Sequence, residues 1–182
     1  PVIDLKTNAP VCENATLQLN AADGTQYQWT GPAGFQSTQA AVTLDHVQLA
    51  QGGEYFVTVS NDAGCTTDGS IIATVNPNPV ATVGLSETTI CEGRSIQLTA
   101  QGGLGYEWKP ATGLSAADIA NPLAKPVISS VYEVIVSNQF SCRDTAEVKI
   151  NVINKPTADA GGDKWIVQGT SVQLMANATG QN

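Results

Sequence analysis

Apolar and polar side chains alternate with a period of two in two segments of nearly identical layout. Tyr55, Val57 and Val59 alternate with Phe56, Thr58 and Ser60, and Tyr132, Val134 and Val136 alternate with Glu133, Ile135 and Ser137. Successive side chains of a β-strand point to opposite faces, so this alternation predicts strands buried on one face. Further strands are predicted at Thr16–Ala21, Tyr27–Trp29, Ala41–Leu44 and Ser70–Val75, and again at Ser95–Ala100, Tyr106–Trp108, Val127–Ser129 and Thr145–Val152. Clusters of turn-forming residues such as NAADGTQ, TGPAGF, SNDAG, QGGLG and KPATG separate them. No stretch carries a helical stripe, although SAADIANP (Ser115–Pro122) has room for one short turn of helix. The pattern predicts an all-β chain of antiparallel sandwiches.

The layout is written twice because the chain repeats. VCENATLQLNAADGTQYQWTGPAGF (Val11–Phe35) aligns with ICEGRSIQLTAQGGLGYEWKPATGL (Ile90–Leu114), which sets Cys12 on Cys91 and Trp29 on Trp108, each 79 positions apart. Tyr55 and Tyr132, like Cys65 and Cys142, stand 77 apart. A third start, IVQGTSVQL (Ile166–Leu174), matches ICEGRSIQL with Val167 in place of the cysteine. A fixed period of this kind marks a repeat architecture. The expected domains are 1–77 and 78–154, with 155–182 as the incomplete start of a third. The short proline-bearing linkers NPNP and NKP predict a rod-like array of tandem sandwiches. The chain opens at Pro1 without a leader and stops mid-repeat, as a mature or internal piece of a longer protein would.

A domain of under 80 residues buries only about 60 to 65% of its unfolded surface, so cross-links would help it. Two cysteines per repeat at matching positions, with no CxxC and no Cys/His cluster, read as structural disulfides and an oxidising compartment. Their pairing is open. If Cys12 precedes the second strand of its sandwich and Cys65 follows the strand that begins near Tyr55, the two lie at opposite ends, roughly 20 Å apart at about 3.3 Å per residue. Either the first strand bends to bring each repeat's own pair together, or Cys12 meets Cys142 of the next repeat.

Eight basic against sixteen acidic residues give a formal charge of −8, which disfavours nucleic acid and anionic membranes as partners. No apolar run approaches the roughly 20 residues of a membrane helix, so no membrane insertion is expected.

The residues EGRSIQLTA, a Trp further on, and VYEVIVSN resemble the B, C and F strands of an immunoglobulin-like (Ig-like) domain. More narrowly, Cys-Glu-Gly, Tyr-x-Trp, Tyr-x-Val-x-Val-x-Asn and the late Cys resemble the Ig-like/PKD-like repeats of large Bacteroidota cell-surface or secreted proteins. ADAGGDKWIVQGTSVQL is similar to the opening of PKD domains. The resemblance implies an adhesin-like, extracellular or cell-surface protein. It also implies a departure: antibody-type domains carry a disulfide between strands B and F, where this chain has Ala21 and Val57, or Ala100 and Val134. The sandwich centres are therefore expected to be apolar and unbridged.

Candidate chemistry is sparse. Trp29, Tyr55, Val57, Trp108, Tyr132 and Val134 read as core, while Trp165, which matches no repeat position, is the better candidate for exposure. His46 stands alone beside Asp45 with no nucleophile partner and no counterpart in the second copy, so no catalytic residue is assigned. Asp159 and Asp163 in ADAGGDK are calcium candidates, but their spacing matches a calcium loop poorly and a solvated turn is the better reading. No other metal site and no cofactor is expected. NAT at Asn14–Thr16 and Asn177–Thr179 fits an N-glycosylation pattern that arises often by chance.

Together these features predict a non-enzymatic repeat segment serving as structural stalk or adhesive array. The alternative is an accessory glycan-binding or spacer module of a secreted hydrolase. Expected partners are neighbouring repeats of the same chain or fibre, then surface glycans or other cell-surface proteins. An exposed aromatic ladder shared by both copies would favour the second reading, and aromatics confined to the cores the first.

Overall fold

The structure, a computed structural model, describes residues 3–179. It divides into two units, residues 1–79 with 137–144, and residues 80–136 with 145–182. The first therefore takes in a short stretch from the second copy of the repeat.

In the first unit the strands are β1 (Asp4–Thr7), β2 (Val11–Cys12), β3 (Leu17–Ala22), β4 (Gln26–Gly31), β5 (Phe35–Ser37), β6 (Ala41–Leu44), β7 (Gly53–Ser60), β8 (Thr66–Ala73) and β9 (Val75–Asn76). One sheet has the order β1-β3-β6 and the other β5-β4-β7-β8, both antiparallel. β2 leaves the first sheet to run parallel with β9, Cys12 opposite Asn76. Two sheets of A-B-E and C′-C-F-G order, with the first strand switching to pair with the last, define an Ig-like sandwich. The period-two pattern accounts for the core: Leu17, Leu19 and Ala21 of β3 meet Trp29 of β4 and Tyr55, Val57 and Val59 of β7.

The second unit repeats this plan with β10 (Thr82–Val83), β11 (Glu87–Cys91), β12 (Ile96–Gln97), β13 (Ala100–Gln101), β14 (Gly105–Lys109), β15 (Leu123–Ala124), β16 (Ser130–Ser137) and β17 (Arg143–Ile153). Its larger sheet is β11-β17-β16-β14, with β11 parallel to β17 and Cys91 opposite Ile153. β10 pairs with β13 and β12 with β15, so the predicted single strand Ser95–Ala100 is two short pieces with separate partners. Leu98, Ala100, Trp108, Tyr132, Val134, Val148 and Ile150 form the core.

Two expectations are corrected here. Val127–Ser129 is not a strand: Val127 and Ile128 are exposed, and the pairing segment is Leu123–Ala124, which delivers the buried Ala124. Pro122 and Pro126 flank it, and a proline lacks the N–H a ladder needs, so the strand is held to two residues. Ser115–Pro122 contains no helical turn; Ser115 instead receives the Leu123 N–H on its hydroxyl and donates its own N–H to the Leu123 carbonyl.

Beyond β17, β18 (Thr157–Asp159) pairs antiparallel with β19 (Asn177–Thr179), and residues 162–176 form no strand. Positions 180–182 of the expected third repeat, and Pro1 and Val2 of the first, lie outside the described residues. One turn nevertheless occurs three times. Ala15 N–H donates to Cys12 O, Arg94 N–H to Cys91 O and Thr170 N–H to Val167 O, each at 3.0 Å. The residue before each donor, Asn14, Gly93 and Gly169, has a positive φ of 66°, 78° and 87°.

Candidate functional site

The side chains expected in the cores are there, and their polar atoms are satisfied alike in both units. Trp29, Tyr55, Val57, Trp108, Tyr132 and Val134 are all buried, as are Ala21 and Ala100. The Trp29 indole N–H donates to Gln39 O and that of Trp108 to Ile119 O, both at 2.9 Å. Half-buried Tyr27 and Tyr106 donate to Gly24 O at 2.8 Å and Gly103 O at 3.0 Å. Tyr55 donates to Gln51 O at 2.7 Å, a tyrosine corner, and burial raises its phenol pKa above the ordinary value. The Trp29, Trp108, Tyr55 and Tyr132 rings are buried and their polar atoms are hydrogen-bonded.

The cysteines separate into two classes. Cys12 and Cys142 are joined, with Cα atoms 5.6 Å apart and a sequence separation of 130, while Cys65 and Cys91 are exposed free thiols. Both ends of the bridge lie in the first unit, because residues 137–144 belong to it. Of the two pairings open in the sequence, the structure has the cross-repeat one, and Cys12 is not bonded to Cys65. The Asn138 side-chain Nδ2–H donates to Pro77 O at 2.8 Å, a second tie of this turn within the unit.

The outward face of the β5-β4-β7-β8 sheet is a shallow polar surface of the first unit. Gln28, Thr58 and Asp68 form one cross-strand row and Thr30, Phe56 and Ser70 the next. Thr58 Oγ1 donates to Asp68 Oδ1 and Ser70 Oγ to Glu54 Oε1, both at 2.6 Å. Phe56 and, opposite Glu54, Ile72 are the large apolar groups exposed on this polar face, at 51% and 68%, and sequence reasoning passed over Phe56 because it reads as an ordinary alternate strand position. The counterpart of Phe56 in the second unit is Glu133. That unit's sheet bears ion pairs instead, Lys109 with Glu107 at 2.9 Å and Lys149 with Glu87 at 3.0 Å.

The remaining candidates stay apart. His46 has φ 52°, and its neighbour Asp45 accepts the Thr16 hydroxyl proton at 2.8 Å. Asp159 Oδ1 accepts the Gly161 N–H at 2.8 Å, so one calcium candidate closes a local turn, and among the described residues no group of three or more His, Cys, Asp or Glu could hold a metal ion. Asn14 Oδ1 accepts from Gln48 Nε2 at 2.9 Å. Trp165 is 96% exposed. Among the described residues no helix is long and apolar enough to cross a membrane.

No protein-family model matches this chain, and no curated protein does. Solved structures do resemble it. The three N-terminal domains of the highly immunogenic outer capsid protein (Hoc) of bacteriophage RB49 align at 14% identity and a TM-score of 0.46, covering 100% of this chain and 70% of that one. Murine CEACAM1b aligns at 12% identity and 0.40, covering 84% of this chain and 100% of that one. The N-terminal four Ig domains of Dscam1 isoform 1.9 align at 14% and 0.35, covering 78% and 42%. The assignment of the fold rests on the strand order described above: the chain is a tandem of Ig-like β-sandwiches.

Proposed function

We propose that this chain is a non-catalytic extracellular repeat segment, the structural stalk or adhesive array of a larger cell-surface protein, with repeats at 1–77, 78–154 and, in part, 155–182. The observation that carries this reading is the Cys12–Cys142 bridge, which closes a span of 130 positions. Tension applied to the ends of the chain passes through the sulfur pair rather than along residues 13–141, so the span that holds β3 to β16 is shielded from extension while β1 and β17 lie outside it. The placement of the aromatics supports the same reading: Trp29, Trp108, Tyr55 and Tyr132 are buried, Tyr27 and Tyr106 half-buried, and exposed Phe56 and Phe140 have Glu133 and Ala63 as counterparts. The resemblance to Bacteroidota Ig-like/PKD-like surface repeats points the same way. Its partners are neighbouring repeats and other cell-surface molecules.

Single-molecule pulling tests this. Held at its termini, the oxidised chain gains almost no length from residues 13–141; reductant releases roughly 450 Å, at about 3.3–3.6 Å per extended residue. An oxidised chain that lengthens by that amount without reductant contradicts this role of the bridge. Binding of an oligosaccharide that Phe56→Ala abolishes would favour the accessory glycan module instead.

A further inference from the structure

The two halves of the Cys12–Cys142 bridge are each built twice in this chain, and the second copies stand open. The half contributed by Cys142 sits in the turn between β16 and β17. There Asn138 Oδ1 accepts the N–H groups of Phe140 at 3.0 Å and Cys142 at 3.2 Å, and Asn138 N–H donates to Cys142 O at 3.1 Å. The turn between β7 and β8 has the same bonds: Asn61 Oδ1 accepts from Ala63 at 3.1 Å and Cys65 at 3.0 Å, and Asn61 N–H donates to Cys65 O at 3.1 Å. Ser141 and Gly64 both take positive φ, 63° and 78°.

The half contributed by Cys12 is likewise duplicated. Cys12 ends a strand parallel to β9, with Glu13 N–H donating to Asn76 O at 2.8 Å; Cys91 ends a strand parallel to β17, with Glu92 N–H donating to Ile153 O at 2.8 Å. What differs is cover. Bonded Cys142 is 1% exposed, and its counterpart Cys65 is open to solvent, as is Cys91.

We propose that Cys65 and Cys91 are complementary halves of further bridges of the Cys12–Cys142 kind, each closing on the opposite half carried by another repeat of this type. Cys91 takes a cysteine from a β7–β8-type turn and Cys65 takes one from a β2-type strand end, so repeats become linked in one direction only. The inference rests on reading the chain as a repeat segment, which the pulling experiment tests separately through Cys12 and Cys142 alone. Closure is an oxidation. One protein thiolate attacks a disulfide oxidant such as oxidised glutathione and displaces one glutathione thiolate, and the partner cysteine then attacks the mixed disulfide and displaces it as the second. Two protein thiols become one disulfide, the oxidant is reduced to two thiols, and the two protons pass to them.

The test uses two variants of the 182-residue protein, Cys65→Ser and Cys91→Ser, in a glutathione redox buffer. Each alone stays monomeric. Mixed, they form a disulfide-linked dimer joined between Cys91 of one and Cys65 of the other, in roughly tenfold excess over any symmetric product, because thiolate attack depends on access to the matching sulfur. Unchanged melting of each variant, with Cys12–Cys142 intact, shows that folding is preserved. Symmetric dimers formed as readily from single variants, or no dimer in the mixture, overturns the proposal. A non-reducing peptide map of the protein from its own cells identifies the natural source. A Cys91 joined to Cys65 of a second copy, or to the matching cysteine of another repeat, supports it; a Cys91 that alkylates as a free thiol overturns it.

Discussion

The Tyr132 hydroxyl donates to the carbonyl of Thr112, 20 positions earlier, over 2.9 Å. The corresponding tyrosine of the first unit, Tyr55, instead reaches back only to Gln51. One side chain thus ties the start of the central strand to different loops in the two units, and in both it stays within the core.

Replacing either tyrosine by Phe removes the donor and leaves a carbonyl short of a partner, at a cost of about 1 kcal/mol. Burial raises both phenol pKa values above the ordinary 10.0. A raised folded-state value means that this contribution to stability is complete below about pH 10 and declines as pH rises through the folded pKa. Denaturant midpoints followed between pH 8 and 11 should fall for the parent protein and fall less for Tyr55→Phe with Tyr132→Phe.

Trp29→Ala or Trp108→Ala removes the largest side chain of its core and the indole donor with it. Each should cost about 3–5 kcal/mol, enough to unfold most of a small unit. The check is denaturant unfolding followed by far-ultraviolet circular dichroism, with the loss confined to one of two transitions.

Two glycines should respond differently to Ala. At Gly64 a Cβ meets nothing within 4 Å but the backbone φ is +78°, so the cost is conformational strain alone, about 1 kcal/mol. At Gly31 the backbone is extended, and a Cβ would stand 2.5 Å from the Tyr55 ring. Overpacking of that kind costs about 1–3 kcal/mol. Gly31→Ala should therefore lower the melting temperature further than Gly64→Ala.

Cys142→Ser should destabilise the first unit by about 2–5 kcal/mol, since the bridge that it opens restricts a long span of the unfolded chain. Reducing the parent protein should lower the denaturant midpoint by a similar amount and change the Ser variant little.

The central strands were legible in the sequence because their burial is local: Leu17, Leu19 and Ala21, or Tyr132, Val134 and Val136, declare the buried face at every second residue. Short edge strands were not. Leu123–Ala124 is too brief to show a period, and its place follows from Ile96 and Gln97 across the sheet. The parallel pairing of Cys12 with Asn76 and Cys91 with Ile153 joins the two ends of each repeat, which no local pattern encodes. The repeated Ser-Asn before each later cysteine was visible, but its use, an asparagine side chain that presents the cysteine in a fixed turn, needed the hydrogen bonds of Asn61 and Asn138. Which cysteines meet was likewise undecided, because the period equates Cys65 with Cys142 while only three-dimensional packing distinguishes them.

A peptide map of the 182-residue protein, alkylated and digested without reduction, tests the account most directly. It predicts a single linked pair joining the Cys12 and Cys142 peptides, with Cys65 and Cys91 recovered alkylated from the monomer. A linked Cys12 and Cys65 pair would contradict it, because each repeat would then close on itself and no bridge would pass between them.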